Sequence, residues 1–326
     1  MNELMGINDV LKNKYDVFVG FISFEKRSFV LGDKIDGKMF SKVYILRNQN
    51  TIDNEYIVNN GTKFEKKFGP KLEYIDVNFD NPLFSADNIK STFDFLQLGE
   101  KKNILLDIST FTHEILLIFL RILKNWSNNV ELTCIYTNTK DYSINEKMEN
   151  KWLSRGLKDV RTVLGYPGDN TRARKNHLVA IVGYEYERAY NIINMIETNS
   201  LSLGYVEAEE TSTEKNKDAN IQYLRLVEEM AISYDDIERF TISCRNVSKT
   251  IIELQKILEK HKNDNIIVVP LNNKVSTLAV AITGFQHPEI QICYGQPLLY
   301  NEKGYSQPGS DFYCFRFEDE DWGLEC

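Results

Sequence analysis

The chain has 326 residues, of which 42% are apolar and 26% are charged. These proportions are close to the globular average, and they exclude a disordered, collagen-like or fibrous protein. At roughly 100 to 200 residues per domain, the length predicts two domains. The net charge is -8, from 39 Lys and Arg against 47 Asp and Glu.

The charge is unevenly distributed along the chain. Residues 1–165 hold 23 basic and 22 acidic side chains, a balance of +1, whereas residues 166–326 hold 16 and 25, a balance of -9. Binding along a nucleic acid duplex requires clustered Lys and Arg. The second half is therefore disfavoured as a broad phosphate-binding surface, and the first half is the expected holder of an anionic ligand.

The cysteines and histidines give no sign of a metal site or a disulfide framework. The five cysteines are odd in number and include no Cys-x-x-Cys pair. The four histidines, His113, His177, His261 and His287, are far apart in the sequence. We predict no metal site and no cofactor.

The sequence also gives no sign of export or membrane insertion. The first fifteen residues mix charged with apolar side chains, and no apolar run approaches the roughly 18 residues of a membrane span. We predict a cytoplasmic protein without a membrane partner.

Short runs rich in Val, Ile, Tyr and Phe alternate with longer helical patterns through the first half, which is typical of βα units in a mostly parallel sheet. The helices are predicted at 82–98 and 114–123. The predicted strands are 16–22, 42–46, 72–77, 103–107, 130–137 and 160–164.

Composition changes at residues 166–176, which have turn chemistry and no apolar period. We predict a first domain at 1–165, a linker at 166–176 and a second domain at 177–326. The predicted strands of the second domain are 177–183, 203–207, 239–242, 265–269, 291–294 and 312–317.

The second half repeats the first in outline. Each first strand ends in an aromatic residue, Glu and Arg, and the later strands follow in the same order. The predicted fold class is therefore α/β, with two tandem Rossmann-like units, mostly parallel sheets and an internal duplication. The alternative is that any two open α/β sheets share this alternation.

Ligands bind open α/β sheets at the carboxyl ends of the strands, where helix N-termini present free N–H groups. One such place combines a carboxylate, hydroxyls and an imidazole directly after a buried strand. Its candidate ligand-binding residues are Asp107, Ser109, Thr110, Thr112 and His113. They could hold a phosphate or a ribose; the alternative is that they cap the helix and His113 belongs to the core.

The segment Asp-Ile-Ser-x-x-Thr-His at 107–113 resembles the fourth-strand signature of CARF domains, the CRISPR-associated Rossmann folds that sense cyclic oligonucleotides. The second-half counterpart, residues 269–274, keeps the Lys of that signature as Lys274 but lacks the Asp, and His113 replaces the Lys in the first half. Two such units in one chain also resemble the SAVED architecture. The resemblance implies nucleotide sensing in a bacterial antiviral defence system.

A second group of candidates follows the first strand of each half. Glu25 could accept a bond from a ribose hydroxyl or attack a glycosidic carbon as a catalytic residue. Arg27 and Arg188 could bind phosphate bidentately, and Glu187 stands beside Arg188. The alternative is a local ion pair on the first turn of each helix.

Several familiar motifs are absent from the sequence. It contains no Gly-x-Gly-x-x-Gly, no P-loop and no Gly-x-Ser-x-Gly. These absences disfavour a conventional dinucleotide site, a nucleoside triphosphatase and an α/β-hydrolase.

The sequence therefore predicts a binding protein for a nucleotide or cyclic oligonucleotide, with one crevice formed by both units. Arg27, Ser109, Thr110 and His113 would line one side of it. The other side would be lined by Arg188, Asn272, Asn273 and Lys274. The alternatives are a nucleotide-cleaving enzyme of the nucleosidase or ring-nuclease type, and an adaptor subunit for a separate effector protein; a homo-oligomer is compatible with each.

Overall fold

The computed structural model describes residues 7–97, 99–143, 152–211, 217–231, 234 and 237–324. The chain forms two compact units. The first comprises residues 1–140 and 306–326, and the second comprises residues 141–305. Each unit is built on one sheet with helices packed against it, so the predicted α/β class is confirmed.

The first sheet has the strand order β12-β5-β4-β1-β2-β3. The pairings β5-β4, β4-β1, β1-β2 and β2-β3 are parallel. Its strands are β1 (Val17–Ile22), β2 (Lys42–Asn48), β3 (Leu72–Val77), β4 (Lys102–Asp107), β5 (Val130–Tyr142) and β12 (Ser306–Arg316).

The helices of the first unit begin where capping residues allow. Asn54, Asn81 and Thr112 each accept a bond from a backbone N–H of the first turn of the following helix. The helices are α1 (Ile7–Val10), α2 (Val30–Lys34), α3 (Glu55–Phe68), α4 (Pro82–Phe93) and α5 (His113–Lys124).

The second sheet has the strand order β6-β11-β10-β7-β8-β9. The pairings β11-β10, β10-β7, β7-β8 and β8-β9 are parallel, whereas β6 pairs with β11 in the antiparallel direction. Its strands are β6 (Ser154–Pro167), β7 (Asn176–Ile181), β8 (Ser200–Val206), β9 (Ile237–Ile242), β10 (Asn265–Pro270) and β11 (Gln291–Tyr300).

Helices of the second unit follow its strands as in the first. Asn246 and Asn273 cap two of them through bonds from Lys249 and Ser276 backbone N–H groups. The helices are α6 (Tyr186–Met195), α7 (Lys217–Met230), α8 (Val247–Lys260) and α9 (Lys274–Gln286).

The two sheets have the same architecture. If β7 to β11 are matched to β1 to β5, both sheets read third, second, first, fourth, fifth, which is the Rossmann order with a switch point between the first and fourth strands. The predicted internal duplication is therefore confirmed. Each unit also has its own apolar core between sheet and helices, including Phe18 and Phe64 in one and Leu178 and Ile192 in the other.

The sixth strands are exchanged between the two halves of the sequence. β6, which we placed in the first domain, pairs with β11 of the second sheet, and β12, which we placed in the second domain, lies beside β5 in the first. The predicted boundaries at 165 and 177 are corrected to 140/141 and 305/306. The predicted linker 166–176 begins inside β6. The error arose because edge-strand pairing depends on non-local contacts, whereas turn composition at 166–176 is local.

The exchange also removes the predicted charge asymmetry. With the observed boundaries, the first unit has 19 basic and 24 acidic residues and the second has 20 and 23, which gives -5 and -3. Net charge therefore no longer favours the first unit as the holder of an anionic ligand.

Among the described residues, the helices are too short or too polar for any of them to traverse a lipid bilayer.

Candidate functional site

The carboxyl ends of the parallel strands carry most of the predicted site residues. In the first unit this edge is formed by the residues that follow β1, β4 and β5, and in the second by those that follow β7, β10 and β11. Both edges hold a buried Glu–Arg pair, so the two clusters can be compared side by side.

In the first unit, Glu25 and Arg27 form a buried ion pair. Arg27 Nε and Nη2 both donate to Glu25 Oε2, at 2.9 and 2.7 Å. The remaining Arg27 nitrogen, Nη1, donates to the Tyr136 hydroxyl at 3.2 Å and to the Thr137 carbonyl at 3.1 Å. Ser306 completes this Glu25 cluster by donating to Glu25 Oε2 at 2.6 Å.

These bonds give Arg27 and Glu25 a structural role. Every nitrogen of the Arg27 guanidinium has a partner within the protein, and the side chain is 4% exposed. Glu25 is 8% exposed, and one of its oxygens already accepts three bonds. A nucleophile needs a free lone pair directed at the substrate, so this geometry disfavours the predicted catalytic role of Glu25.

The turn after β4 is organised by Asp107. Its Oδ1 accepts bonds from the backbone N–H and the hydroxyl of Ser109, and the Ser109 oxygen in turn accepts from the Thr137 backbone N–H at 2.8 Å. Burial raises the pKa of Asp107 to about 6, against the opposing effect of the Ser109 bonds and of Arg27.

The other candidates of this segment also have structural partners. Thr110 Oγ1 donates to the Phe21 carbonyl at 2.7 Å, and Thr112 caps α5 by accepting from Ile115 N–H at 3.2 Å. His113 is the first residue of α5 and is 5% exposed. The structure thus brings the predicted residues of the first unit together, and their hydrogen bonds hold the strand ends in place.

Replacing Asp107 with Asn should stabilise the protein at neutral pH. Because the pKa in the folded state lies above the unfolded value, the favourable contribution of protonated Asp107 is present below about pH 4 and is lost as the pH rises through about 6. Asp107→Asn should raise the free energy of unfolding by about 2 to 3 kcal/mol at pH 7.5 and change it little at pH 4. Urea unfolding at both pH values measures this.

The exposed Asp311 is the matched control, and Asp311→Asn should change stability equally little at both pH values. An equal loss of stability for Asp107→Asn at both values would show that Asp107 does not change its protonation state between pH 4 and pH 7.5, and would contradict the expectation.

The equivalent cluster in the second unit is formed by Ser154, Glu185, Arg188 and Tyr294, the Glu185 cluster. Arg188 Nη2 lies 2.8 Å from Glu185 Oε2, and the Arg188 guanidinium carbon lies 5.8 Å from the centre of the Tyr294 ring. The Ser154 hydroxyl donates to Glu185 Oε1. Ser154 begins β6 as Ser306 begins β12, so both clusters use the first residue of the exchanged strand.

The structure corrects the predicted partner of Arg188. The prediction paired it with Glu187, but Glu187 is exposed and accepts from the Tyr186 hydroxyl at 3.4 Å. Glu185, one helical turn away at i–3, is the buried partner. Residues that are adjacent in a helix do not face each other, whereas residues three apart do.

Arg188 differs from Arg27 in its hydrogen bonds. The side chain is 3% exposed, yet within the part of the chain that the structure describes neither Nε nor Nη2 has a hydrogen-bond partner. Nη2 nevertheless lies 2.8 Å from Glu185 Oε2 and is paired with that carboxylate, so Nε is the nitrogen without a polar partner in the described residues. Burial alone would lower the pKa of Arg188, but the Glu185 carboxylate and three tyrosine hydroxyl groups together raise it.

Further buried side-chain atoms without a hydrogen-bond partner in the described residues are a carboxamide oxygen and three hydroxyl oxygens, on Asn48, Thr137, Thr139 and Thr283. An unbonded buried donor on a charged group costs more free energy than an unbonded hydroxyl. Arg188 is therefore the strongest candidate for contact with a missing acceptor.

Aromatic side chains crowd the same edge of the second unit. Four of them form a connected group of rings with centroid distances from 4.8 to 5.5 Å. This tyrosine group consists of Tyr142, Tyr184, Tyr186 and Tyr223. Tyr300 and Tyr305 form a further pair at 6.2 Å. Burial raises the pKa of Tyr184, Tyr186 and Tyr223, so these hydroxyls stay protonated.

The predicted candidates that follow β10 lie in the turn before α9 and at the start of that helix. Asn272 donates to the Val182 carbonyl at 2.6 Å and accepts from the Cys244 thiol at 3.2 Å. Asn273 donates to the Cys244 carbonyl at 2.8 Å and caps α9. Lys274, the first residue of α9, is partly buried.

Glu185, Ser154 and the tyrosine group are absent from the predicted site. Glu185 could have been identified from the sequence, because its i, i+3 spacing from Arg188 places the two side chains on the same side of a helix. No sequence signal pointed to Ser154, because its position depends on the strand exchange.

Comparisons with known proteins do not assign the chain to a family. No family matches the sequence, and no curated protein matches it. Among solved structures, the cytoplasmic domain of a prokaryotic cation chloride cotransporter is similar at 10% identity, with 87% of this chain and 96% of that chain covered and a TM-score of 0.27. A universal stress protein from Archaeoglobus fulgidus DSM 4304 is similar at 10% identity, with 87% and 97% covered and a TM-score of 0.24. At TM-scores this low, neither similarity indicates a function for this chain.

Proposed function

We propose that the protein binds a nucleotide-type ligand at the carboxyl edge of the second sheet, with Arg188 as the principal donor. The observation that carries the proposal is the buried Arg188 guanidinium, whose Nε has no polar partner among the described residues and whose Nη2 is paired only with Glu185. Leaving such a donor unsatisfied costs roughly 1 to 3 kcal/mol or more. A phosphate or a base acceptor would remove that cost.

A phosphate fits the planar guanidinium because two of its oxygens can accept parallel bonds from Nε and Nη2. Glu185 supports a nucleotide in particular, since a carboxylate beside the first strand of a Rossmann unit can accept from a ribose hydroxyl. Its charge, balanced against Arg188, favours a ligand that carries hydroxyl groups as well as phosphate over a bare anion.

The tyrosine group supports the nucleobase part of the proposal. Aromatic rings provide stacking surfaces for bases of any identity, worth about 1 to 3 kcal/mol per base. Tyr184 and Tyr186 are partly exposed, so a base could contact their rings from the solvent side. An arginine, a carboxylate and tyrosines at one sheet edge match the parts of a nucleotide.

In this proposal the Glu25 cluster has a structural role and does not bind the ligand. Its arginine already has four bonds within the protein, so a ligand would have to break them. The two copies would thus have diverged, with one Glu–Arg pair holding strands together and the other binding a ligand once the side chains that cover it move aside.

The resemblance of residues 107–113 to CARF domains, and of the duplicated architecture to SAVED proteins, supports a cyclic oligonucleotide as the ligand and antiviral defence as the setting. A separate effector protein would then read out binding, and the protein would act in the cytoplasm.

Thermal melting with a panel of cyclic and linear oligonucleotides and mononucleotides tests the proposal. We expect at least one compound to raise the melting temperature of the unaltered protein. The double variant Glu185→Gln/Arg188→Gln should lose at least tenfold in affinity for that compound, because both polar partners are removed.

The matched control is Glu25→Gln/Arg27→Gln, which alters the same two residue types in the other unit and should keep the affinity. The proposal fails if no compound changes the melting temperature, or if the Glu185/Arg188 variant, shown to be folded, binds as the unaltered protein does.

A further inference from the structure

Two histidines and a glutamate meet at the opposite, amino edge of the second sheet. His177, Glu238 and His261 are far apart in the sequence, but each offers one ligand atom within 4.8 Å of the others. The sequence spacing of the histidines, which suggested no metal site, did not reveal this cluster. It lies apart from the Glu185 cluster, which is at the carboxyl edge of the same sheet.

Each of the three residues comes from a defined element. His177 lies in β7, Glu238 lies in β9, and His261 is the C-terminal cap of α8. Ser202 of the intervening strand β8 bonds both His177 Nε2, at 2.9 Å, and Glu238 Oε2, at 3.0 Å. The donors therefore sit on secondary structure, which holds coordination geometry better than loops do.

Outer partners orient both imidazole rings. His261 Nδ1 is 3.2 Å from Asp264 Oδ2, and His177 Nδ1 is 2.7 Å from Ser200 Oγ. A carboxylate or hydroxyl on the far nitrogen of a ligating histidine fixes its tautomer and raises its basicity. His261 Nε2 lies 3.0 Å from Glu238 Oε2. His177 Nε2 lies 2.9 Å from Ser202 Oγ, and because the Ser202 hydroxyl donates to Glu238, a metal would have to replace the proton that His177 shares with Ser202.

We propose that His177, Glu238 and His261 bind a divalent transition-metal ion of the zinc class, with water in the fourth position. Two imidazoles and one carboxylate form a set that suits zinc. Glu238 would offer Oε2, because Oε1 is 2.6 Å from Lys260 Nζ. The lysine reduces the attraction of the carboxylate for a cation, so we expect micromolar rather than picomolar affinity.

Binding requires a small rearrangement of the rings. They are stacked at a centroid distance of 3.5 Å and an interplanar angle of 9°. A metal lies close to the plane of each imidazole that binds it, so the rings must tilt out of this stack. The bound ion would join β7, β9 and the end of α8, and would therefore stabilise the second unit.

Metal addition to chelator-treated full-length protein tests the proposal. Zn²⁺ at about 100 times its dissociation constant should raise the melting temperature by roughly 5 °C. Co²⁺ should produce visible absorption bands of a four-coordinate ion. His261→Gln and Glu238→Gln should each lose at least tenfold in metal affinity, and affinity should fall as the pH is lowered, since protons compete for imidazole.

His287→Gln is the matched control, because His287 is a partly exposed histidine that pairs with Glu289 outside the cluster; it should bind metal as the unaltered protein does. His177→Gln provides a second test of metal binding if this variant has a normal melting temperature without metal. If it does not, the affinity of His261→Gln decides between binding and no binding. The proposal is overturned if Zn²⁺ leaves the melting temperature unchanged and Co²⁺ gives no bands, or if His261→Gln and Glu238→Gln retain full affinity.

Discussion

Truncating the chain after Tyr305 is expected to unfold the first unit while the second stays folded. The deletion removes β12 from the first sheet, exposes the edge of β5 and removes the Ser306 bond to Glu25. It also removes four buried apolar side chains, on Cys314, Phe315, Phe317 and Trp322. At roughly 1.5 to 3 kcal/mol for a large buried side chain, the loss exceeds about 5 kcal/mol and is comparable with the whole stability of a domain.

Hydrogen–deuterium exchange of the truncated protein measures this. Peptides from β1, β4 and β5 should lose protection, whereas peptides from β7, β10 and β11 should keep it. Truncation after Leu324 is the control and should leave both sets protected. Loss of protection confined to the second unit would contradict the strand exchange, because that is the result expected if 177–326 were one domain.

Arg188→Met is expected to cost about 3 to 5 kcal/mol of unfolding free energy. The substitution leaves the Glu185 carboxylate buried without its cation, and an uncompensated buried charge is strongly destabilising. The double variant Glu185→Gln/Arg188→Met should recover most of the loss, because it removes both charges. Urea unfolding of the single and double variants gives the two values.

Arg239→Met provides the control for removal of an arginine from the same unit. Arg239 pairs with Glu228, but its side chain is 61% exposed, so we expect a loss below about 1 kcal/mol. If Arg188→Met is no more costly than Arg239→Met, the buried Glu185–Arg188 pair does not stabilise the second unit, which would contradict the expectation.

The parallel strands could be predicted because their patterns are local. Runs such as Leu72–Val77 and Asn265–Pro270 are bounded by turns, and each is followed by a capped helix. The repeated order of these patterns was enough to predict the duplication. β6 and β12 were located near their observed positions, but their sheets were not, since either edge strand satisfies the same local pattern and only tertiary pairing distinguishes them.

The location of the candidate site could be predicted from the sequence, but most of its side-chain contacts could not. Arg27 and Arg188 were identified from the ends of β1 and β7, yet their hydrogen bonding differs although their local sequences are alike. His177 and His261 show the limit most clearly. Their stacking depends on β7 and the end of α8 meeting in space, which no sequence spacing records.

The most direct test of the account is a structure determined with the oligonucleotide that raises the melting temperature most. We expect a phosphate or base acceptor within about 3 Å of Arg188 Nε and Nη2, and at least one base stacked on a ring of the tyrosine group. A ligand bound elsewhere, with Arg188 Nε still without an acceptor, would contradict the proposed site.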